Sequence, residues 1–143
     1  MLRNIPPILS PDLLHILRAM GHGDDIAIVD ANFPAESMGQ RCVRLDGIPA
    51  TEALEAILTL MPLDTFVPDP AHTMQVVGDP EAVPEIVGEF QAIVDRMADH
   101  PARISGIERF TFYDRARAAY AIVQTGETRL YGNIILKKGV IAP

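Results

Sequence analysis

The chain of 143 residues has no tryptophan, one cysteine, and only three tyrosines and five phenylalanines. With few aromatics and 48% apolar residues, its core must be aliphatic. A chain of this length buries about two thirds of its unfolded surface as one ordinary domain. The lone Cys42 excludes an internal disulfide and suits a reducing compartment. Basic residues are scarce: 12 Lys and Arg against 19 Asp and Glu leave a formal charge of −7. No basic run exceeds Lys137-Lys138, and phosphate binding needs clustered cations, so nucleic acid and anionic membrane are poor candidates for partner. No stretch approaches the roughly 20 apolar residues of a membrane span. The segment "MLRNIPPILSPD" lacks the apolar run and small-residue cleavage site of a signal peptide. These absences lead to the expectation of a cytoplasmic protein that handles a neutral or weakly charged small molecule.

Several chemistries lack their residues. His15, His22, His72 and His100 show no paired metal-ligand spacing, and one cysteine adds nothing to them. There is no Walker loop, no GxGxxG and no G-x-S-x-G nucleophile elbow, so nucleotide, dinucleotide and serine-hydrolase readings have no support.

What is present is an alternation of strands and helices. Ser10-Pro11-Asp12 reads as N-cap, first helical residue and dipole-favouring acid. Leu13, Leu14, Leu17 and Met20 follow at helical spacing until Gly21, with His15 a structural member of that helix. "DIAIVD" is a buried strand and "RCVRL" (41–45) a second, halted by Asp46-Gly47. Thr51 is expected to cap a helix through Leu60, "TMQVV" (73–77) to form a third strand, and residues 84–98 a helix. Residues 99–106 read as loop with room for a short strand. "ERFTFYDRARAA" reads as helix, "YAIVQT" as strand and "NIILKKG" as the last strand. The alternation predicts a single compact α/β layered domain over residues 1–143.

Within it, "MGHGDDIAIVDANFP" (20–34) holds the most suggestive chemistry. His22 lies between two glycines, which free the backbone and leave the ring uncrowded. An imidazole there can both give and accept a proton near neutral pH, although a solvated loop histidine is the commoner fate. Asp30 ends a strand, where layered α/β folds place ligands; it is either a turn acceptor or an acceptor for substrate hydroxyls. Five extended residues between them span about 16 Å. Either the glycine loop folds back along the strand, or a second subunit completes the pocket. Arg109 stands among aromatics, with Glu108 and Asp114 as ordinary ion-pair partners; Phe110, Phe112 and Tyr113 read as core or interface. Tyr120 opens an apolar strand, and its hydroxyl needs a partner if buried. Tyr131, Gly132 and Asn133 bring donor, acceptor and close backbone approach together, the mixture a hydroxyl-rich ligand requires.

"ILSPDLLHILRAMGHGDDIAIVDANFPAES", "RFTFYDRARAAYAIVQTGE" and "YGNIILKKGV", in that order, resemble the fucose branch of the ribose pyranase/fucose mutarotase family across residues 1–140. Residues 62–105 carry the least motif information. The resemblance implies a compact fold with a central mixed sheet flanked by helices, and cofactor-free interconversion of monosaccharide ring forms, most simply the α and β anomers of L-fucose. It gives His22 as proton donor and Asp30 and Arg109 as sugar-binding residues. Tyr131-Gly132-Asn133 becomes the segment that holds the sugar, and Tyr120 an aromatic near the pocket. It also implies a ring-like homo-oligomer, a decamer among the possibilities, with sites near subunit boundaries. "GHGD", "YGN" and Arg109 favour the fucose branch. The alternatives are ribose pyranase activity, or a non-enzymatic sugar-binding or transport-accessory protein using the same polar pocket.

Overall fold

The computed structural model describes residues 1–143. Helix α1 spans Pro11–Ala19 and starts as its sequence demands: the Ser10 hydroxyl accepts from Leu13 N, Pro11 occupies the first turn and Asp12 faces the dipole. Leu13, Ile16 and Leu17 are buried. Its carboxyl end is closed from outside, because Lys138 Nζ donates to the carbonyls of Leu17 (2.7 Å) and Met20 (2.6 Å).

Strand β1 (Asp25–Val29) is followed by a one-turn helix α2 (Ala35–Met38), then β2 (Cys42–Leu45) and α3 (Ala50–Leu58). β3 (Ala71–Met74) leads through a long loop to α4 (Glu85–Met97) and β4 (Ile104–Ile107). The chain ends with α5 (Arg109–Ala118), β5 (Ala121–Thr125) and β6 (Ile134–Lys137).

The sheet order is β2-β5-β1-β6-β3-β4. β1 runs parallel to β5, β5 to β2, and β3 to β4, while β6 lies antiparallel between β1 and β3. Five strands therefore point one way and β6 alone returns, which makes the sheet mixed. β1 is central, and alternation along it feeds two layers. Ile26 and Ile28 join the larger core under α1, α3 and α4; Ala27 and Val29 face the smaller one under α2 and α5.

Four details refine or correct the sequence expectations. α3 begins at Ala50 after Pro49, with no side-chain cap, so Thr51 lies inside the first turn. The third strand starts two residues earlier than read and ends three earlier. Pro70 O accepts Lys137 N at its start, and Gly78 (φ +81°) turns the chain just after Val77. Residues 104–107 do form a strand, at the sheet edge. Helix α2 had no sequence signal, since four residues are too few to show a helical period.

Candidate functional site

The strand directions divide the singled-out residues into two groups. Asp30, Arg109, Tyr131, Gly132 and Asn133 lie outside the carboxyl ends of the parallel strands, where α/β sheets bind ligands. His22 and Tyr120 lie at the amino end.

At the carboxyl end, Asp30 is 5% exposed and Asn133 3% exposed, and they latch each other. Asp30 N donates to Asn133 Oδ1 (2.9 Å), and Asn133 Nδ2 donates back to Asp30 Oδ2 (2.8 Å). Asn32 N donates to the remaining oxygen, Asp30 Oδ1 (2.9 Å). Burial pushes the Asp30 carboxyl above its ordinary value, against the opposing pull of the hydrogen bonds from Asn32, Asn133 and Phe33. The loop after Asp30 is stapled by Gln124, whose Nε2 donates to the carbonyls of Asp30, Ala31 and Phe33.

The facing loop is held from below. Glu127, buried, accepts Arg129 Nε (3.0 Å) and Nη2 (3.1 Å), and its carbonyl accepts Ala31 N. The Arg129 side chain holds the Glu127 carboxyl below its ordinary value, with burial opposing. Tyr131 adopts φ +64°, a left-handed conformation that costs a non-glycine residue about 1–2 kcal/mol. Its hydroxyl accepts Val77 N (3.1 Å), leaving the phenolic proton available to a ligand. Gly132 has no room for a side chain: a Cβ would stand 2.7 Å from Glu127 Cγ and 3.0 Å from Ile86 Cδ1.

Arg109 begins α5 with its guanidinium over the Phe110 ring (4.7 Å), and its Nε is buried without a hydrogen-bond partner. Neither neighbouring acid pairs with it: Glu108 caps α5 through Phe110 N and Thr111 N, and Asp114 pairs with Arg117. Asp30, Arg109, Tyr131 and Asn133 line one cavity of about 220 Å³, with Phe33, Met74 and Tyr113 supplying apolar wall. A larger cavity of about 560 Å³ lies between α1 and the chain termini. Its lining is mainly Leu2, Leu14, Leu17, Leu60 and Ile141; of its two cations Lys138 already donates to the Leu17 and Met20 carbonyls, which leaves a polyhydroxylated ligand little beyond Arg18. The smaller, polar cavity is the candidate site.

His22 does not reach that cavity. Its loop is tied to the far end of β6 by Gly23 N donating to Lys138 O (2.9 Å), and it does not fold back along β1. His22 Nε2 lies 3.1 Å from Asp64 Oδ1, and its ring packs on Phe66 at 5.3 Å. Tyr120, half-buried at the start of β5, carries the Arg41 guanidinium over its ring at 4.0 Å and lines no part of the cavity. No cluster of three or more His, Cys, Asp or Glu is placed to hold a metal ion.

Sequence reasoning missed Asp64, Phe66, Gln124 and Glu127. Gln124 and Glu127 carried a faint signal, as polar residues closing an apolar strand. Asp64 carried none, being 42 residues from the histidine it touches.

Comparison with known proteins places this geometry. Human fucose mutarotase is 47% identical over 147 residues, spanning 99% of this chain and 95% of the relative. The fucose mutarotase of Streptococcus pneumoniae, solved in complex with L-fucose, superposes with a TM-score of 0.92 at 45% identity, covering 99% of this chain and all of that one. Bacillus subtilis RbsD, solved with D-ribose, shares the fold at 21% identity and a TM-score of 0.78, over 99% of this chain and all of that one. The model of the RbsD / FucU transport protein family matches residues 3–141, and the chain belongs to that family.

Proposed function

We propose that this protein is a cofactor-free isomerase that interconverts the α and β anomers of L-fucose. The observation that carries the reading is the convergence of Asp30, Arg109 and Tyr131 on one polar cavity, in a chain 45% identical to a protein crystallised with that sugar. Opening the ring breaks the C1–O5 bond while the anomeric hydroxyl loses its proton and O5 gains one. Rotation about C1–C2 presents the other aldehyde face, and closure reverses the same transfers. His22 gives O5 its proton; the anomeric proton leaves to water, directly or relayed through the hydroxyl of Tyr120, which lies at the same end of the sheet as His22. Asp30, Arg109, Tyr131 and the Gly132-Asn133 backbone hold the hydroxyls. Mutarotation is already quick in water, so one positioned acid–base group, worth about 10²- to 10⁴-fold, suffices.

The separation of His22 from the cavity supports a site shared between copies. Five β1 residues, rising about 3.3 Å each, hold the two groups at opposite ends of one chain. Phe66 is 73% exposed beside His22, and Val77 (58%), Phe110 (60%) and Leu130 (68%) are exposed around the cavity. An apolar knob at one end and an apolar rim at the other suit a head-to-tail contact, which closes into a ring when the rotation permits. In this reading residues 1–143 act as one domain of a ring-like homo-oligomer in the cytoplasm. The free Cys42 is compatible with that compartment, and no helix is long and apolar enough to cross a membrane.

Magnetisation-transfer NMR on L-fucose tests both parts. His22→Ala and Asp30→Asn should each lower anomer exchange by at least ~10²-fold. Co-assembled, the two variants should regain a fraction of wild-type exchange, because some boundaries then pair an intact His22 with an intact Asp30. No loss in His22→Ala refutes the acid–base role. Loss in both variants without recovery on mixing refutes the shared site. D-Ribose pyranose–furanose exchange faster than fucose exchange would favour ribose pyranase. Fucose binding without acceleration would make the protein a sugar binder.

A further inference from the structure

Resting on the assignment of His22 as the acid–base group, we propose that Asp64 is its positioning residue, fixing the hydrogen on Nε2 and making Nδ1 the atom that exchanges a proton with the sugar. A carboxylate only accepts, so the imidazole nitrogen 3.1 Å from Asp64 Oδ1 must carry the hydrogen. To give O5 a proton the ring carries a second hydrogen on Nδ1, as imidazolium whose charge Asp64 balances through Nε2–H. The neutral ring left after transfer has its lone pair on Nδ1, which no protein group engages, ready for the reverse step. The two partners differ in exposure in the sense this role requires: the Asp64 side chain is 3% exposed and that of His22 45%. The carboxylate is sealed behind the ring while the ring itself remains accessible.

The backbone makes this geometry rigid. Leu63 bridges Lys138, Asp64 N donates to Lys137 O (3.0 Å), and Gly139 N donates to Pro62 O (2.8 Å). The His22 loop is anchored to the same segment, through Gly23 N to Lys138 O and Lys138 N to Asp24 O, each 2.9 Å. Histidine and aspartate, 42 positions apart, are thus referenced to one three-residue stretch of backbone. Gly139 permits the contact, because a Cβ there would stand 2.7 Å from the Leu63 carbonyl carbon. Phe66 adds two constraints: its N–H donates to Asp64 Oδ1 (3.1 Å), and its ring lies against the imidazole at 57°. Burial opposes ionisation of Asp64, but the Phe66 N–H and the His22 contact outweigh it and hold the carboxyl below its ordinary value.

The test is the His22 tautomer read by long-range ¹H–¹⁵N NMR on the full-length protein, with the His22 signals identified by their loss in His22→Ala. Wild type should carry the neutral-form hydrogen on Nε2; a wild-type Nδ1–H tautomer overturns the proposal without any variant having to fold. Asp64→Ala removes the oxygen that accepts from both Nε2–H and Phe66 N–H, which an asparagine would keep, so an Nδ1–H fraction should appear in the neutral ring. Anomer exchange should then fall at least ~10-fold in kcat with KM changed less than ~3-fold, within the ~10²–10⁴ available to an acid–base group. Asp64→Glu should restore the tautomer and part of the rate. An unchanged tautomer and rate in folded Asp64→Ala refutes the positioning role alone. Undiminished exchange in His22→Ala refutes the acid–base reading itself.

Discussion

The two ends of strand β1 solve opposite problems. At the amino end, His22 has one hydrogen-bond partner and nearly half its side chain in solvent. At the carboxyl end, Asp30 is buried and both its oxygens accept hydrogen bonds. A group that must move a proton needs one firm orienting contact and an open face. A group that must hold a hydroxyl in place needs its own position fixed beforehand, so that binding does not spend free energy ordering it. The contrast extends to support. The amino end leans on a three-residue backbone pairing, the carboxyl end on a side-chain network of Gln124, Glu127, Arg129 and Asn133.

The largest expected stability effect follows from this contrast. Asn133→Ala removes the acceptor of Asp30 N and a donor to its carboxylate, leaving a buried charge underpaired. It should cost about 2–4 kcal/mol in urea unfolding. His22→Ala, at an exposed loop position, should cost under ~1 kcal/mol while abolishing most of the exchange. Equal stability losses in the two variants would erase the distinction between a preorganised end and an open one.

How much of this was legible in the chain depends on sequence distance. α1 was readable because its cap, first turn and apolar face all lie within ten residues. β1, β5 and β6 were readable as apolar runs between glycines and acids. The placing of His22 and Asp30 at opposite ends of a strand followed from strand rise alone, and the structure keeps the His22 loop at its own end. β3 was misplaced because its pairing is set by β6, more than 60 residues on, while "TMQVV" has equal strand propensity. Arg109 was expected beside ordinary ion-pair partners, and both of those acids turned out to be engaged elsewhere. The Asp64 contact is wholly tertiary: "PLDTF" contains a carboxylate but nothing that says which ring it meets.

A smaller effect sharpens the account of the carboxyl end. Gly132→Ala drives a methyl toward Glu127 Cγ and Ile86 Cδ1, so the loop bearing Tyr131 must shift or Glu127 must move on Arg129. Overpacking of this kind costs about 1–3 kcal/mol. Raised KM with near-wild-type kcat is the expected kinetic result, because the loop proposed to hold the sugar is displaced and His22, the proposed proton donor, is not. The corresponding strain at Gly139→Ala would lift Leu63 and Asp64 instead and should appear in kcat.

The smallest effect compares one carboxylate from each end, and their signs are opposite. Asp64 is held below its ordinary 3.8, so the unfolded chain takes up its proton first on acidification. Its contribution is complete above 3.8 and is lost as pH falls through the folded value. Asp30 is held above 3.8, so the folded state keeps its proton longer. Its contribution is complete below 3.8 and is lost as pH rises through the folded value. Urea unfolding of wild type and variants from pH 3 to 6 separates the two. Asp64→Asn should flatten the rise of stability with pH in the acid range, whereas Asp30→Asn should steepen it toward pH 6. Slopes changed in the same direction would mean that the two ends do not differ electrostatically, and that the open and closed environments of β1 share one carboxylate chemistry.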